Sequence, residues 1–98
     1  MNENVKVVFD VDGTLIHFSH TGENVPRYDI IDLFRTFEKL GCEMYIWSGG
    51  GVEYANRWSE RLNLKAKIVP KGSFCPNIAV DDCDSDLGST NILVTEVI

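Results

Sequence analysis

The chain alternates short apolar runs with amphipathic stretches and polar breaks. Val5-Lys6-Val7-Val8-Phe9 is rich in β-branched residues and predicts a buried strand ending at Asp10. Residues 13–26 hold glycines, Ser19, Thr21, Asn24, Pro26 and both histidines, His17 and His20, the composition of a loop or short hairpin. From Arg27 to Leu40 the apolar residues Ile30, Leu33, Phe34, Phe37 and Leu40 recur at steps of three and four, one face of a helix. Pro26 suits the entry of that helix and Gly41 its stop. Residues 42–47 predict a second strand, broken by Ser48 and the glycines 49–51. Val52, Ala55, Trp58 and Leu62 form a second helical stripe. Residues 66–69 give a short third strand closed by Pro70, residues 70–76 a loop, Ile78-Ala79-Val80 a fourth strand and residues 91–97 a fifth.

This order predicts one α/β domain over residues 1–98, built on a mainly parallel five-stranded sheet. Ligands of such sheets bind outside the carboxyl ends of the strands. The polar residues follow that rule: Asp10 and Asp12 come after the first strand, Ser48 after the second, Lys71 after the third, and Asp81 and Asp82 after the fourth.

Composition narrows the classes. Apolar residues make up 44% and charged residues 24%, which suits a folded globule. Acidic residues number 15 against 9 basic ones, and the net charge of −6 argues against nucleic acid as a partner. No apolar run approaches the ~20 residues of a membrane span. The opening Met1-Asn2-Glu3-Asn4 has neither the basic patch nor the apolar stretch of a signal peptide. Three cysteines, Cys42, Cys75 and Cys83, without a CxxC pair, predict reduced thiols in a cytoplasmic protein.

The strand ends point to metal and phosphate chemistry. One aspartate after a strand is ordinarily a turn or a cap. Two pairs, Asp10 with Asp12 and Asp81 with Asp82, concentrate negative charge that a hard cation relieves. Carboxylates, a carbonyl and retained waters are what Mg²⁺ prefers. Beside such a cation, the Ser48 hydroxyl, the Lys71 ammonium and the backbone N–H groups of residues 48–50 suit a phosphoryl group. The glycines are no P-loop, because no Gly-Lys-Ser/Thr follows them.

With these residues in place, the sequence resembles the haloacid dehalogenase (HAD) superfamily of phosphohydrolases. Val7-Val8-Phe9-Asp10-Val11-Asp12-Gly13-Thr14-Leu15 matches the family's first motif and Tyr45-Ile46-Trp47-Ser48-Gly49 its second. Lys71 fits the third motif, and Ile78-Ala79-Val80-Asp81-Asp82, with Asp86 downstream, fits the fourth. The resemblance implies a three-layer Rossmannoid fold with strand order 5-4-1-2-3. It implies a phosphomonoester hydrolase in which Asp10 is the nucleophile and Asp12 the general acid and base. Mg²⁺ would be held by the Asp10 carboxylate, the Asp12 carbonyl and Asp82, with Asp81 as a supporting or alternate ligand. Gly13, Thr14, Ser48, Gly49 and Lys71 would form the phosphate-binding set, in which Gly13 lets the backbone turn close to the site and Thr14 braces the loop.

The chain also departs from the family's pattern. Residues 15–27 suffice for a small flap but not for a cap domain, and residues 49–70 leave no room for another insertion. The site should be open to a phosphorylated small molecule or macromolecule, or covered by a second copy of the chain in a homo-oligomer. Lys71 precedes Asp81 by only ten residues, so the helix often found between these motifs is missing, and the crossing over residues 70–77 is close to the reach of ~3.3–3.6 Å per residue. The family's usual tail is reduced to one strand. Two other classes compete. A non-catalytic metal- or phosphate-binding regulator fits the trimmed scaffold, but has no need of an acid two residues after Asp10. A receiver domain shares the acids, hydroxyl and lysine, but carries its phosphoacceptor aspartate after the middle strand and has no Asp-x-Asp-Gly-Thr.

Overall fold

The computed structural model describes residues 5–17 and 24–95. His20 and the rest of residues 18–23 fall outside them, as do residues 96–98. Five strands, β1 (Lys6–Asp10), β2 (Glu43–Trp47), β3 (Lys67–Ile68), β4 (Ile78–Asp81) and β5 (Thr90–Leu93), form one sheet with helices α1 (Tyr28–Lys39) and α2 (Val52–Arg61) between them. Every pairing is parallel. The order is β3-β2-β1-β4-β5, which read from the opposite edge is 5-4-1-2-3.

Alternation along the strands divides the core in two. Val7 and Phe9 of β1, Met44 and Ile46 of β2 and Val80 of β4 face the helices, where they meet Ile30, Ile31 and Phe34 of α1 and Ala55 and Trp58 of α2. The Phe9 ring packs edge-on against Phe34 at 5.2 Å and Phe37 at 6.3 Å. Val8, Tyr45, Trp47 and Ala79 face the other way, under Val69, Phe74 and Leu87.

Both helices therefore lie on one face, and the expected third layer is not helical among the described residues. Connection handedness explains this. The crossovers β1–α1–β2 and β2–α2–β3 step the same way along the sheet, so right-handedness puts both helices on the same side. The chain then reverses past β2 and β1 to reach β4, which sends residues 69–77 over the opposite face. That segment is too short for a helix, and it covers the sheet with Phe74, whose ring lies 4.8 Å from Tyr45 and 5.9 Å from Trp47.

Most element ends shift by one residue from the sequence reading, and two differences say more about the packing. β5 ends at Leu93 rather than continuing toward residue 97, because its partner β4 ends at Asp81; the Val94 amide makes the last bond, 2.8 Å to the Asp81 carbonyl. Leu40 is 54% exposed, since α1 stops one residue earlier and the chain turns away from the sheet. Arg27, which precedes α1, is buried and ties the helix start to the end of the chain's last described segment, donating to the Thr95 carbonyl at 3.2 Å. No described helix is long and apolar enough to cross a membrane.

Candidate active site

The carboxyl ends of β1, β2 and β4 and the segment after β3 surround a cavity of about 300 Å³, lined by Asp10, Asp12, Ser48, Gly49, Gly50, Lys71, Asp82 and Cys83. Of the residues singled out in the sequence, Asp10, Asp12, Ser48, Gly49, Lys71 and Asp82 are brought together there. Asp81 lies just behind them. Gly13 and Thr14 support the wall rather than line it.

Asp10 is the last residue of the central strand and is 4% exposed. Beyond it the chain makes a tight turn in which the amides of Thr14, Leu15 and Ile16 all donate to the Val11 carbonyl. Gly13 takes φ +77°, and a Cβ there would overlap the Asp82 carboxylate. Glycine thus lets the acid at the end of β4 lie directly over the β1 loop. Thr14 is fully buried beneath this loop, its hydroxyl without a hydrogen-bond partner among the described residues. Its side chain does not line the cavity.

Lys71 bridges two aspartates. Its Nζ lies 3.3 Å from Asp10 Oδ1 and 2.9 Å from Asp81 Oδ2. The second contact is an ion pair whose angle falls outside an aligned hydrogen bond. Asp81 Oδ1 accepts from the Cys83 amide at 2.9 Å. Both Asp81 oxygens are thereby engaged, while the Asp82 carboxylate is left facing the cavity. The short crossover delivers the lysine because Phe74, three residues on, anchors that segment against β2.

Four carboxylates share this edge with one ammonium. Burial, then the charge of Asp81, push the Asp10 carboxyl up to about 7 against the opposing pull of Lys71. Burial and the neighbouring Asp81 also raise Asp82. Burial works against the Lys71 ammonium, but pairing with Asp81 and Asp10 outweighs it and holds the group above its ordinary 10.5. Asp82 and Asp81 raise the Cys83 thiol, which keeps it protonated, as its position beside the acid pair implies.

Ser48 does not cap α2; Gly51 occupies that position. The Ser48 hydroxyl oxygen accepts from the Gly50 amide at 3.0 Å, and the Gly51 amide donates to the Ser48 carbonyl at 3.1 Å. The Gly50 amide expected to meet an anion is therefore already used. The Ser48 O–H keeps its own proton to donate.

Sequence reasoning missed Tyr54. It stands on the first turn of α2, half-buried, and its hydroxyl donates to Asp12 Oδ1 at 2.5 Å. Its place one turn before Trp58, at the helix end nearest the site, was the available signal. Burial and the bond to Asp12 raise its phenol. Asp86 lies away from the cavity and accepts from Asn91 Nδ2 at 3.1 Å. Arg57 and Arg61 are exposed on α2, their guanidinium groups over the rings of Tyr54 and Trp58.

The donor set suits a hard cation: oxygen ligands, excess negative charge, and a carboxylate held over the backbone by a missing Cβ. The three closest donor groups at the end of β4, on Asp81, Asp82 and Cys83, have ligand atoms within 4.8 Å of one another, but Asp81 is already paired with Lys71. Comparison with family models, curated proteins and solved structures returned no match to this chain.

Proposed function

We propose that the chain is a Mg²⁺-dependent phosphomonoester hydrolase of the HAD type, a capless Rossmannoid core working through an aspartyl-phosphate. The observation that carries this reading is the convergence of Asp10, Asp12, Ser48, Lys71 and Asp82, from four separate segments, on one cavity at the carboxyl edge of a parallel sheet.

The Asp10 and Asp82 carboxylates and the Asp12 carbonyl would hold Mg²⁺. When bound, that ion supplies positive charge that offsets the crowded carboxylates and the phosphoryl oxygens. A carboxylate oxygen of Asp10 attacks phosphorus, the bond from phosphorus to the ester oxygen breaks, and Asp12 gives its proton to the departing oxygen. Asp12, now ionised, takes a proton from water as that water attacks phosphorus. The bond to Asp10 breaks and inorganic phosphate leaves. The Lys71 ammonium favours the ionised form of Asp10 and balances charge on the phosphoryl oxygens, while the Ser48 O–H donates to one of them.

The cavity is open and no inserted domain fits between the strands, so the substrate is a phosphorylated small molecule or an exposed phosphate of a macromolecule. The three cysteines are unpaired, which suits a reducing cytoplasm. A panel of phosphate esters, screened with Mg²⁺ and with Asp10→Asn as control, tests the reading. Turnover by the wild type that disappears in the variant supports it; Mg²⁺ binding without turnover across the panel favours a binding protein instead.

A further inference from the structure

We propose that Tyr54 is a positioning residue that fixes the Asp12 carboxylate for proton transfer through its hydrogen bond to Oδ1. This inference rests on the hydrolase reading above. The two residues are 42 positions apart in the chain and come from different elements, yet their oxygens meet at 2.5 Å, the short end of the range for a hydroxyl on a carboxylate. A carboxylate otherwise rotates with little preference about its last torsion. With Oδ1 held by the phenol, a proton carried by Asp12 resides on Oδ2, the oxygen left for the ester.

The ring is itself held in place. A Cβ on Gly50 would lie 3.1 Å from Tyr54 Cδ2 and 3.3 Å from Cγ, so the glycine backbone forms one wall. The Arg57 guanidinium lies over the ring at 6.0 Å from its centroid. Burial does not demand the pair. Asp12 and Tyr54 are only half-buried, so water would satisfy both groups if they separated, and Ala55 and Trp58 already anchor α2 to the sheet. The bond does gain strength when Asp12 loses its proton to the leaving oxygen, because an ionised acceptor binds a hydroxyl more tightly. Tyr54 therefore stabilises the charge that develops on Asp12 as the ester bond breaks.

The test compares two aryl esters. p-Nitrophenolate leaves with little help from an acid, whereas phenolate needs the proton. Tyr54→Phe should lower kcat/KM for phenyl phosphate roughly tenfold and for p-nitrophenyl phosphate by less than about threefold. Gly50→Ala, which presses on the same ring, should shift the ratio in the same direction and by less, and serves if Tyr54→Phe folds poorly. In an Asp12→Asn background Tyr54→Phe should add less than about a twofold loss, because its partner is gone. Equal losses on the two esters, or an undiminished further loss in the Asp12→Asn background, would overturn the role of Tyr54 while leaving the hydrolase reading intact. A wild type that turns over neither ester overturns both.

Discussion

Lys71 Nζ lies 3.3 Å from Asp10 Oδ1 although the two residues are 61 positions apart. The lysine comes from the loop after an edge strand and the aspartate from the centre of the sheet. Asp81, 2.9 Å from the same ammonium, completes the arrangement. Replacing Lys71 by Met leaves two buried carboxylates without their counter-charge. Protonation of Asp10 relieves part of the conflict, so the cost depends on pH. We expect Lys71→Met to lower stability by about 1–3 kcal/mol at pH 8 and by less at pH 5. Urea unfolding in EDTA at the two pH values measures the difference.

The Asp10 carboxyl stands at about 7 in the folded protein against 3.8 for the free group. Between those values the native state binds a proton that the unfolded state has released. Stability therefore falls as pH rises through this window, and levels off above it. Asp82, also raised, acts in the same direction. Glu43 acts oppositely and lower down. Held at about 2 by its bonds to Lys6 and Lys67, it contributes stability above its free value of 4.5 that is lost as pH falls toward 2. In EDTA, Asp10→Asn should be more stable than the wild type at pH 8, by on the order of a few kcal/mol, with the gap closing near pH 4. Guanidinium midpoints across this range give the curve, and a gap that widens toward acid would contradict the assignment.

On the proposed ligand set, Mg²⁺ should stabilise the wild type, because it would bind the folded carboxylates and not the dispersed ones. A concentration 100 times the dissociation constant corresponds to about 2.7 kcal/mol. The ion would compete with protons for Asp10, so the increase in Tm should be larger at pH 8 than at pH 5. Asp82→Asn should reduce it strongly at either pH. Differential scanning fluorimetry reads all four conditions, and an equal shift in wild type and variant would remove Asp82 from the ligand set.

Phe74 links the fold to the site. Its half-buried ring covers Tyr45 and Trp47 on the face without helices and anchors the segment that carries Lys71. Phe74→Ala should cost about 2–4 kcal/mol, below the upper end for a fully buried phenylalanine. It should also reduce ester turnover in conditions where the variant is still folded, because Lys71 loses its support. Phe74→Leu should recover most of both.

Much of this arrangement was legible in the sequence. Short apolar runs of three to six residues locate β1, β2 and β4, and each ends at a polar residue that lines or backs the cavity. The two helices followed from spacings of three and four. The placement of both helices on one face was not legible from periodicity, since periodicity describes one element and not the side of the sheet it packs on; it follows from the direction of the crossovers. The apolar pattern of β5 runs past its end because its apolar residues continue beyond the point where β4 offers partners. Tyr54 is not legible because it lies off the apolar stripe of Val52, Ala55, Trp58 and Leu62, and only the fold brings its hydroxyl to Asp12. The sequence offers the Gly50 amide as an anion donor, but the hydroxyl of Ser48, two residues earlier, occupies it.

The central claim is that Asp10 is the nucleophile of a metal-dependent phosphate transfer. The most direct measurement is p-nitrophenol release by the purified wild type and by Asp10→Asn, each with excess Mg²⁺ and again after EDTA. We predict Mg²⁺-dependent turnover by the wild type that EDTA abolishes and renewed Mg²⁺ restores, and a loss on the order of a thousandfold or more in Asp10→Asn, whose amide is a far poorer nucleophile. Turnover by Asp10→Asn within a few-fold of the wild type would contradict the account.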